Sequence, residues 1–310
     1  MKILVTGGSG LVGYGLKTIQ NNYSYDFIFI SSKDCDLTNY EKSKLFFEFV
    51  KPDFVIHCAA NVGGLYKNMN QKVQMLEDNI IMNLNVLKLC HKFHVKKLIC
   101  ILSTCIFPDK TTYPIDENML HNGPPHHSND AYAYAKRLME THVNAYNQQY
   151  NTNFVCVIPT NIYGMYDNFS LEDGHVLPAL IHKCYLSKNE NKDFVILGSG
   201  KPLRQFIYNV DLGKLIMFVL EKYEEKKPII LSVDEEDEKS IKEVGTIIAK
   251  EFNYEERIKF DSSFSDGQYK KTASNKLLKK YLPNFQFTKI EDGLKETIKW
   301  FQENYNIVRK

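Results

Sequence analysis

Short apolar runs punctuate the first half of the chain at regular intervals. Lys2-Ile3-Leu4-Val5-Thr6 comes first, followed by 26–30, 54–60, 97–103 and 153–158, and a further run stands at 228–233. They are continuous and not alternating, as expected of strands in a parallel sheet covered on both faces. Between them lie stretches of helical length and period, such as the one from about 71 to 93 with Ile80, Leu84 and Leu87 on one side. Asn79 and Asn83, one turn apart on that helix, are expected to face solvent. The alternation predicts an α/β fold: a Rossmann-type doubly wound parallel sheet with a smaller C-terminal substrate-binding lobe. Residues 1–164 form the dinucleotide-binding domain, with 204–233 returning to it, and 165–310 mainly form the lobe.

The lobe reads as shorter pieces. Asp173-Gly174-His175 precedes an apolar helix over 176–186, which carries Lys183 two turns past the histidine. Strands follow at 194–197 and 204–208, separated by the turn Gly198-Ser199-Gly200, with Asp211 at a helix start. Ser240 and Glu243 form a capping box for a helix over 241–252. A loop over 261–274 holds Asp266, Lys270 and Lys271, and a terminal helix covers 290–305.

Candidate chemistry clusters where strands end. The first run passes directly into Gly7-Gly8-Ser9-Gly10-Leu11-Val12-Gly13, a strand–glycine turn–helix start whose glycines let the backbone approach a pyrophosphate. The second run ends at Ser31, Ser32 and Lys33, where an acidic residue would grip the ribose of NAD. Hydroxyls and a cation suit a 2′-phosphate, so NADP is expected; Asp36 lies on the adenine side if the chain turns there, and otherwise in a solvated loop. Small Ala59 and Ala60 leave room for a cofactor, and Val62-Gly63-Gly64 reads as a flexible loop over the crevice. The strand over 97–103 ends at Ser103, with Cys105 two residues on.

Tyr132 and Lys136 lie one helical turn apart, so the ammonium is placed to stabilise a phenolate. Tyr-x-x-x-Lys also occurs at Tyr40/Lys44 and Tyr223/Lys227, which read as solvated helix faces. Only the middle copy follows a buried strand ending in serine. Together these groups suit proton transfer to a carbonyl oxygen during reduction.

Charge and cysteine content narrow the alternatives. A net charge of +2 with no arginine stripe disfavours nucleic acid. No run is apolar enough for a membrane span, and the first strand leaves no room for a signal peptide. Seven cysteines without Cys-x-x-Cys spacing point to reduced thiols and a cytoplasmic protein. His121, His126 and His127, in the irregular loop over 111–129, read as loop residues, and no metal is expected.

With the glycine turn, Ser103, Tyr132, Lys136 and Arg204-x-Phe206-x-x-x-Val210-Asp211 in place, the chain resembles the extended short-chain dehydrogenase/reductases that act on nucleotide sugars. The motifs Val62-Gly63-Gly64, Ser103-Thr104-Cys105-Ile106-Phe107-Pro108, Pro159-Thr160-Asn161, Asp167-Asn168-Phe169 and Gly174-His175-Val176 carry the resemblance end to end. It implies NADPH, a GDP-sugar substrate, a cytosolic homodimer packed through the Tyr132 helix, and 3,5-epimerisation with 4-keto reduction of GDP-4-dehydro-6-deoxy-D-mannose to GDP-L-fucose. Cys105 would be the base and His175 the acid, with Ser103 and Tyr132 on the ketone oxygen and Lys136 on the nicotinamide ribose.

By the same resemblance, further cofactor contacts fall on Ala59, Leu102, Pro159, Thr160, Asn161, Ile162 and His175. Lys183, Leu197, Arg204, Asp266 and Lys271 would surround the nucleotide. Members often carry tryptophan where Leu197 stands, and many bacterial ones arginine where Lys183 stands. A dehydratase of the same fold would show Asp-Glu at 104 and 105, where this chain has Thr104 and Cys105. A simple 4-epimerase would need no cysteine base, and a non-catalytic dinucleotide-binding protein would be expected to lose the tyrosine, lysine or glycines.

Overall fold

Six strands pair in parallel, in the order 26–30, 2–6, 54–57, 97–101, 154–159 and 229–231. The computed structural model describes residues 1–264, 266 and 268–310. In chain order the first part is β1 (Lys2–Thr6), α1 (Leu11–Ile19), β2 (Asp26–Ile30), α2 (Tyr40–Val50), β3 (Phe54–His57), α3 (Leu65–Asn70), α4 (Lys72–Lys92), β4 (Lys97–Ile101), α5 (Asp130–Tyr150), β5 (Phe154–Pro159) and β6 (Asn161–Tyr163). The second is α6 (Val176–Asn189), β7 (Phe194–Leu197), β8 (Leu203–Arg204), β9 (Phe206–Tyr208), α7 (Asn209–Lys222), β10 (Ile229–Leu231), β11 (Lys239–Ser240), α8 (Ile241–Glu251), β12 (Ile258–Asp261), α9 (Lys276–Tyr281) and α10 (Ile290–Glu303).

The continuous apolar runs are buried on both faces, as their pattern requires. One core lies between the sheet and α2, α4 and α5, and the other between the sheet and α1 and α7. A third core, built from α6, α8, α10, β7 and β9, sits under the later segments around Phe169, Phe194 and Phe301. Strand order reverses between β1 and β3, so a crevice opens at their carboxyl ends, the usual ligand position in such sheets.

Several local expectations are corrected. Asn79 and Asn83 are buried, not solvated: Asn79 bonds both the N–H and the carbonyl of Asn61, at 3.0 and 2.9 Å, and Asn83 meets Nε2 of His57 at 3.0 Å. The polar face of α4 therefore points at the backbone where β3 ends, whose amides need partners. Gly63 and Gly64 are buried as well, and Gly64 N–H donates to the Asp173 carbonyl at 2.8 Å, so this loop is clasped shut. The strand expected over 204–208 breaks at Gln205, whose side chain bonds the backbone of Val233, Asp234 and Ala273. Tyr223 is fully buried, not on a solvated face. The capping box at Ser240 and Glu243 forms as the spacing predicts. The loop expected over 261–274 includes Ser265 and Gly267, which lie outside the described residues.

Candidate active site

The glycine turn is shaped by close backbone contact. Gly7 takes φ +67°, and a Cβ there would stand 2.7 Å from the Ala59 amide nitrogen, across the crevice between β1 and β3. Gly8 N–H donates to the Ile30 carbonyl at 2.7 Å, tying the turn to β2. Gly10 caps α1 without a side-chain partner, and the first helical turn holds no acidic residue. Its amides are thus free to meet an anion at the positive end of the helix.

At the end of β2, Asp34 accepts from the backbone and hydroxyl of Ser31, at 2.8 and 2.7 Å, which leaves exposed Ser32 and Lys33 at the tip. Asp36 is engaged by Thr38. Ser32, Lys33, Asp36 and Lys42 line an open hollow of about 470 Å³. Ala59, Leu102 and Pro159 to Ile162 all fall at or just beyond the carboxyl ends of β3, β4 and β5. The hydroxyl of Thr160 is buried there without a partner. An unpaired hydroxyl and a bare helix terminus are the features a dinucleotide would satisfy, so these residues fit such a cofactor.

The strand expected over 97–103 stops at Ile101, and Ser103, two residues past the end of β4, caps the short turn Thr104–Ile106, its Oγ accepting from the Cys105 amide at 3.4 Å. The Nε of Arg137 donates to the Ile106 carbonyl and fastens this turn to α5. Lys136 is almost fully buried and donates from Nζ to the Ile101 carbonyl at 2.8 Å. That ammonium lies 5.7 Å from the centre of the Tyr132 ring. Burial, and secondarily Cys105, raise the Tyr132 pKa, correcting the expectation of an easily ionised phenol. Desolvation penalises the charged phenolate and so favours the neutral phenol.

Cys105 is buried, and its thiol is likewise pushed up by desolvation, against the lowering pull of Lys271, the Ser103 hydroxyl and Lys136. Lys271 immediately precedes a segment laced to 115 by Ile115 N–H to Thr272 O at 2.8 Å and Ser274 N–H to Ile115 O at 2.7 Å. Arg204 donates to the carbonyls of Leu203 and Gln268 at 2.7 and 2.6 Å. Asp266 accepts from the Ser199 amide and hydroxyl, both at 2.6 Å. Leu197 is 46% exposed, and Lys183 is half-buried on α6.

His175 is the N-cap of α6. The residue is exposed, while desolvation by the surrounding protein lowers its pKa. The Gly64–Asp173 bond sets it relative to the loop after β3. Of the three loop histidines, His121 meets Glu140, His126 meets Ser128, and His127 lies tilted against His126.

Residues 3–233 match the NAD dependent epimerase/dehydratase family. The chain belongs to this family. It is 53% identical over 311 residues to the GDP-L-fucose synthase of Dictyostelium discoideum, covering 99% of this chain and 97% of that protein. To the probable GDP-L-fucose synthase of Drosophila melanogaster it is 47% identical over 319 residues, covering 100% and 99%. A crystal structure of a GDP-L-fucose synthetase from Naegleria fowleri bound to NADP matches with a TM-score of 0.96 at 49% identity, covering 100% of this chain and 95% of that one. UDP-glucose 4-epimerase from Thermotoga maritima, at 20% identity and a TM-score of 0.83, shares the fold alone.

Within this epimerase/dehydratase several positioning residues went unread in the sequence. Gly15, two positions past the glycine turn, lets α1 and α7 close until a Cβ there would stand 2.1 Å from the Asn209 carbonyl oxygen. Asn209 Nδ2 donates to the Leu11 and Met165 carbonyls, joining the glycine helix to the segment after β6. Thr6 and Asn83 hold His57 from either side at 2.8 and 3.0 Å, and burial lowers its pKa to about 3, so it stays neutral. Only Gly15 left a signal, as one more glycine at the turn. No helix among the described residues is long and apolar enough to cross a membrane.

Proposed function

We propose that this chain is an NADPH-dependent GDP-L-fucose synthase, which epimerises GDP-4-dehydro-6-deoxy-D-mannose at C3 and C5 and reduces the C4 ketone. The observation that carries the reading is the gathering of Ser103, Cys105, Tyr132 and Lys136 at one end of β4, in a chain 53% identical to a GDP-L-fucose synthase. Residues 1–164 with 204–233 hold the dinucleotide, and 165–310 mainly hold the nucleotide-sugar. The chain works as a cytoplasmic homodimer packed through the helices that include α5. The exposed Tyr134 and Leu138 on α5 and Ile81 on α4 support that contact.

Protons at C3 and C5 lie α to the ketone and become acidic when the enolate oxygen is stabilised. Ser103 and Tyr132 donate to that oxygen. Cys105 removes the proton, assisted by the cations Lys271 and Lys136, and His175 returns one on the opposite face. A histidine with a lowered pKa is a willing donor once protonated. NADPH, when bound, supplies the hydride to C4. Tyr132 then gives its proton to the alkoxide while Lys136 bears on the nicotinamide ribose.

The turn residues Gly7 to Gly13 and the first amides of α1 hold the pyrophosphate, and Ser32 and Lys33 take the 2′-phosphate. Lys183, Arg204 and Lys271 meet the GDP diphosphate, with Asp266 on the base. Incubating the chain with GDP-4-dehydro-6-deoxy-D-mannose and NADPH tests the whole reading. Reduced-nicotinamide absorbance should fall as GDP-L-fucose forms, and no fall in absorbance with authentic substrate would reject it.

A further inference from the structure

The parallel strands β7 and β12 end together, with Leu197 the register partner of Asp261. At and just past these ends, two large apolar side chains stand half in water: Leu197 and Phe264 are each 46% exposed. A single exposed apolar residue needs no explanation. Two on adjoining loops, bordered by charge, do.

Their loops are laced to each other without a ligand. Gly198 N–H donates to the Asp261 carbonyl at 2.8 Å, and Phe264 N–H turns back to the same carbonyl at 3.4 Å. Asp266 accepts twice from Ser199, and Gly198, at φ +91°, comes so near that a Cβ would stand 2.5 Å from Asp266 Oδ1. The positions of Leu197 and Phe264 are thus set by backbone hydrogen bonds and a carboxylate clamp.

We infer that Phe264 is a specificity-determining residue, its ring forming with Leu197 the wall on which the purine base of a nucleoside diphosphate stacks. This rests on the proposed GDP-sugar reading and names the residue that holds the base. Leu197 alone offers an aliphatic surface with no π face. Phe264, brought back over Asp261 by its turn bond, supplies one. Lys183, adjacent to Asp261, and Arg204, at the end of the strand after the 198–200 turn, provide cations for the phosphates beside this wall. Asp266 keeps lone pairs free after binding Ser199, and these suit the N–H edge of a guanine.

The test is calorimetric titration of the full chain with GDP. Phe264→Ala should raise the GDP dissociation constant about tenfold, the scale of one base–aromatic stack, while the NADPH dissociation constant stays at the wild-type value. Phe264→Leu, which keeps bulk and loses the ring, should fall between. Adding Leu197→Trp to Phe264→Ala should recover most of the loss by restoring a π face from the neighbouring strand. A GDP affinity within twofold of wild type in both single Phe264 variants overturns the inference. Wild-type chain that binds NADPH but not GDP would instead reject the underlying reading.

Discussion

The Nζ of Lys136 lies 5.7 Å from the centre of the Tyr132 ring and spends one of its hydrogens on the Ile101 carbonyl at the end of β4. The lysine is therefore fixed by the sheet before any ligand arrives. Tyr132 rests as a phenol, raised by burial, which is the state required of a proton donor to a C4 alkoxide. Tyr132→Phe should lower the reduction rate by about 10²- to 10⁴-fold, the usual contribution of a general acid, with GDP affinity preserved. Steady-state reduction beside calorimetry checks this, and a variant that reduces at the wild-type rate removes Tyr132 from the chemistry.

Cys105 is held in a capped turn between Ser103 and the Arg137-bound carbonyl of Ile106. Cys105→Ser should abolish solvent deuterium uptake at C3 and C5 while NADPH still binds. Because burial raises the thiol, alkylation of the ligand-free chain by iodoacetamide should be slow at pH 7 and accelerate only above the ordinary thiol range. Lys271→Met removes an opposing cation and should move that profile to still higher pH. Mass spectrometry of the alkylated peptide reads both. Undiminished exchange in Cys105→Ser ends the base assignment.

Asp167 is buried, with one oxygen unpartnered, and desolvation raises its pKa from an ordinary 3.8 to about 7. The folded chain then holds a proton that the unfolded chain gives up. Its contribution is fully present below about pH 4 and is lost as pH rises to 7, by at most about 1.4 kcal/mol per unit. Asp167→Asn should flatten that part of the profile and be more stable than wild type at pH 8. Urea midpoints at pH 5 and pH 8 measure the difference, and parallel profiles for the two proteins would contradict it.

Gly15→Ala should cost about 1–3 kcal/mol, the range for overpacking a close contact. The added methyl meets the backbone of Asn209, which has no flexible side-chain end to give way. Thermal unfolding tests this. A weakened NADPH affinity should accompany the loss, because α1 carries the glycine turn.

Much of the six-stranded sheet was readable as linear pattern. Apolar runs gave the strands, glycine spacing gave the turn, and Tyr132 was separated from Tyr40 and Tyr223 by what precedes it. The local chemistry of Ser240 with Glu243 was also enough to place a helix start, because a capping box needs only three residues of chain. Asn79, Asn83 and Gly64 were misread for the opposite reason. Their partners, at Asn61, His57 and Asp173, are distant or on other elements, and a polar side chain on a helix looks the same in sequence whether it meets water or a strand end.

The sequence by itself determined the alternating α/β order, the glycine turn after β1 and the capping box at Ser240, because these depend on neighbours along the chain. Only the tertiary structure decided that Tyr132 and Cys105 are buried where desolvation raises both pKa values, that the Gly64 loop is closed onto Asp173, and that Phe264 stands beside the end of β7. Each of these depends on desolvation or on contacts across the fold, and neither exists until the chain has packed.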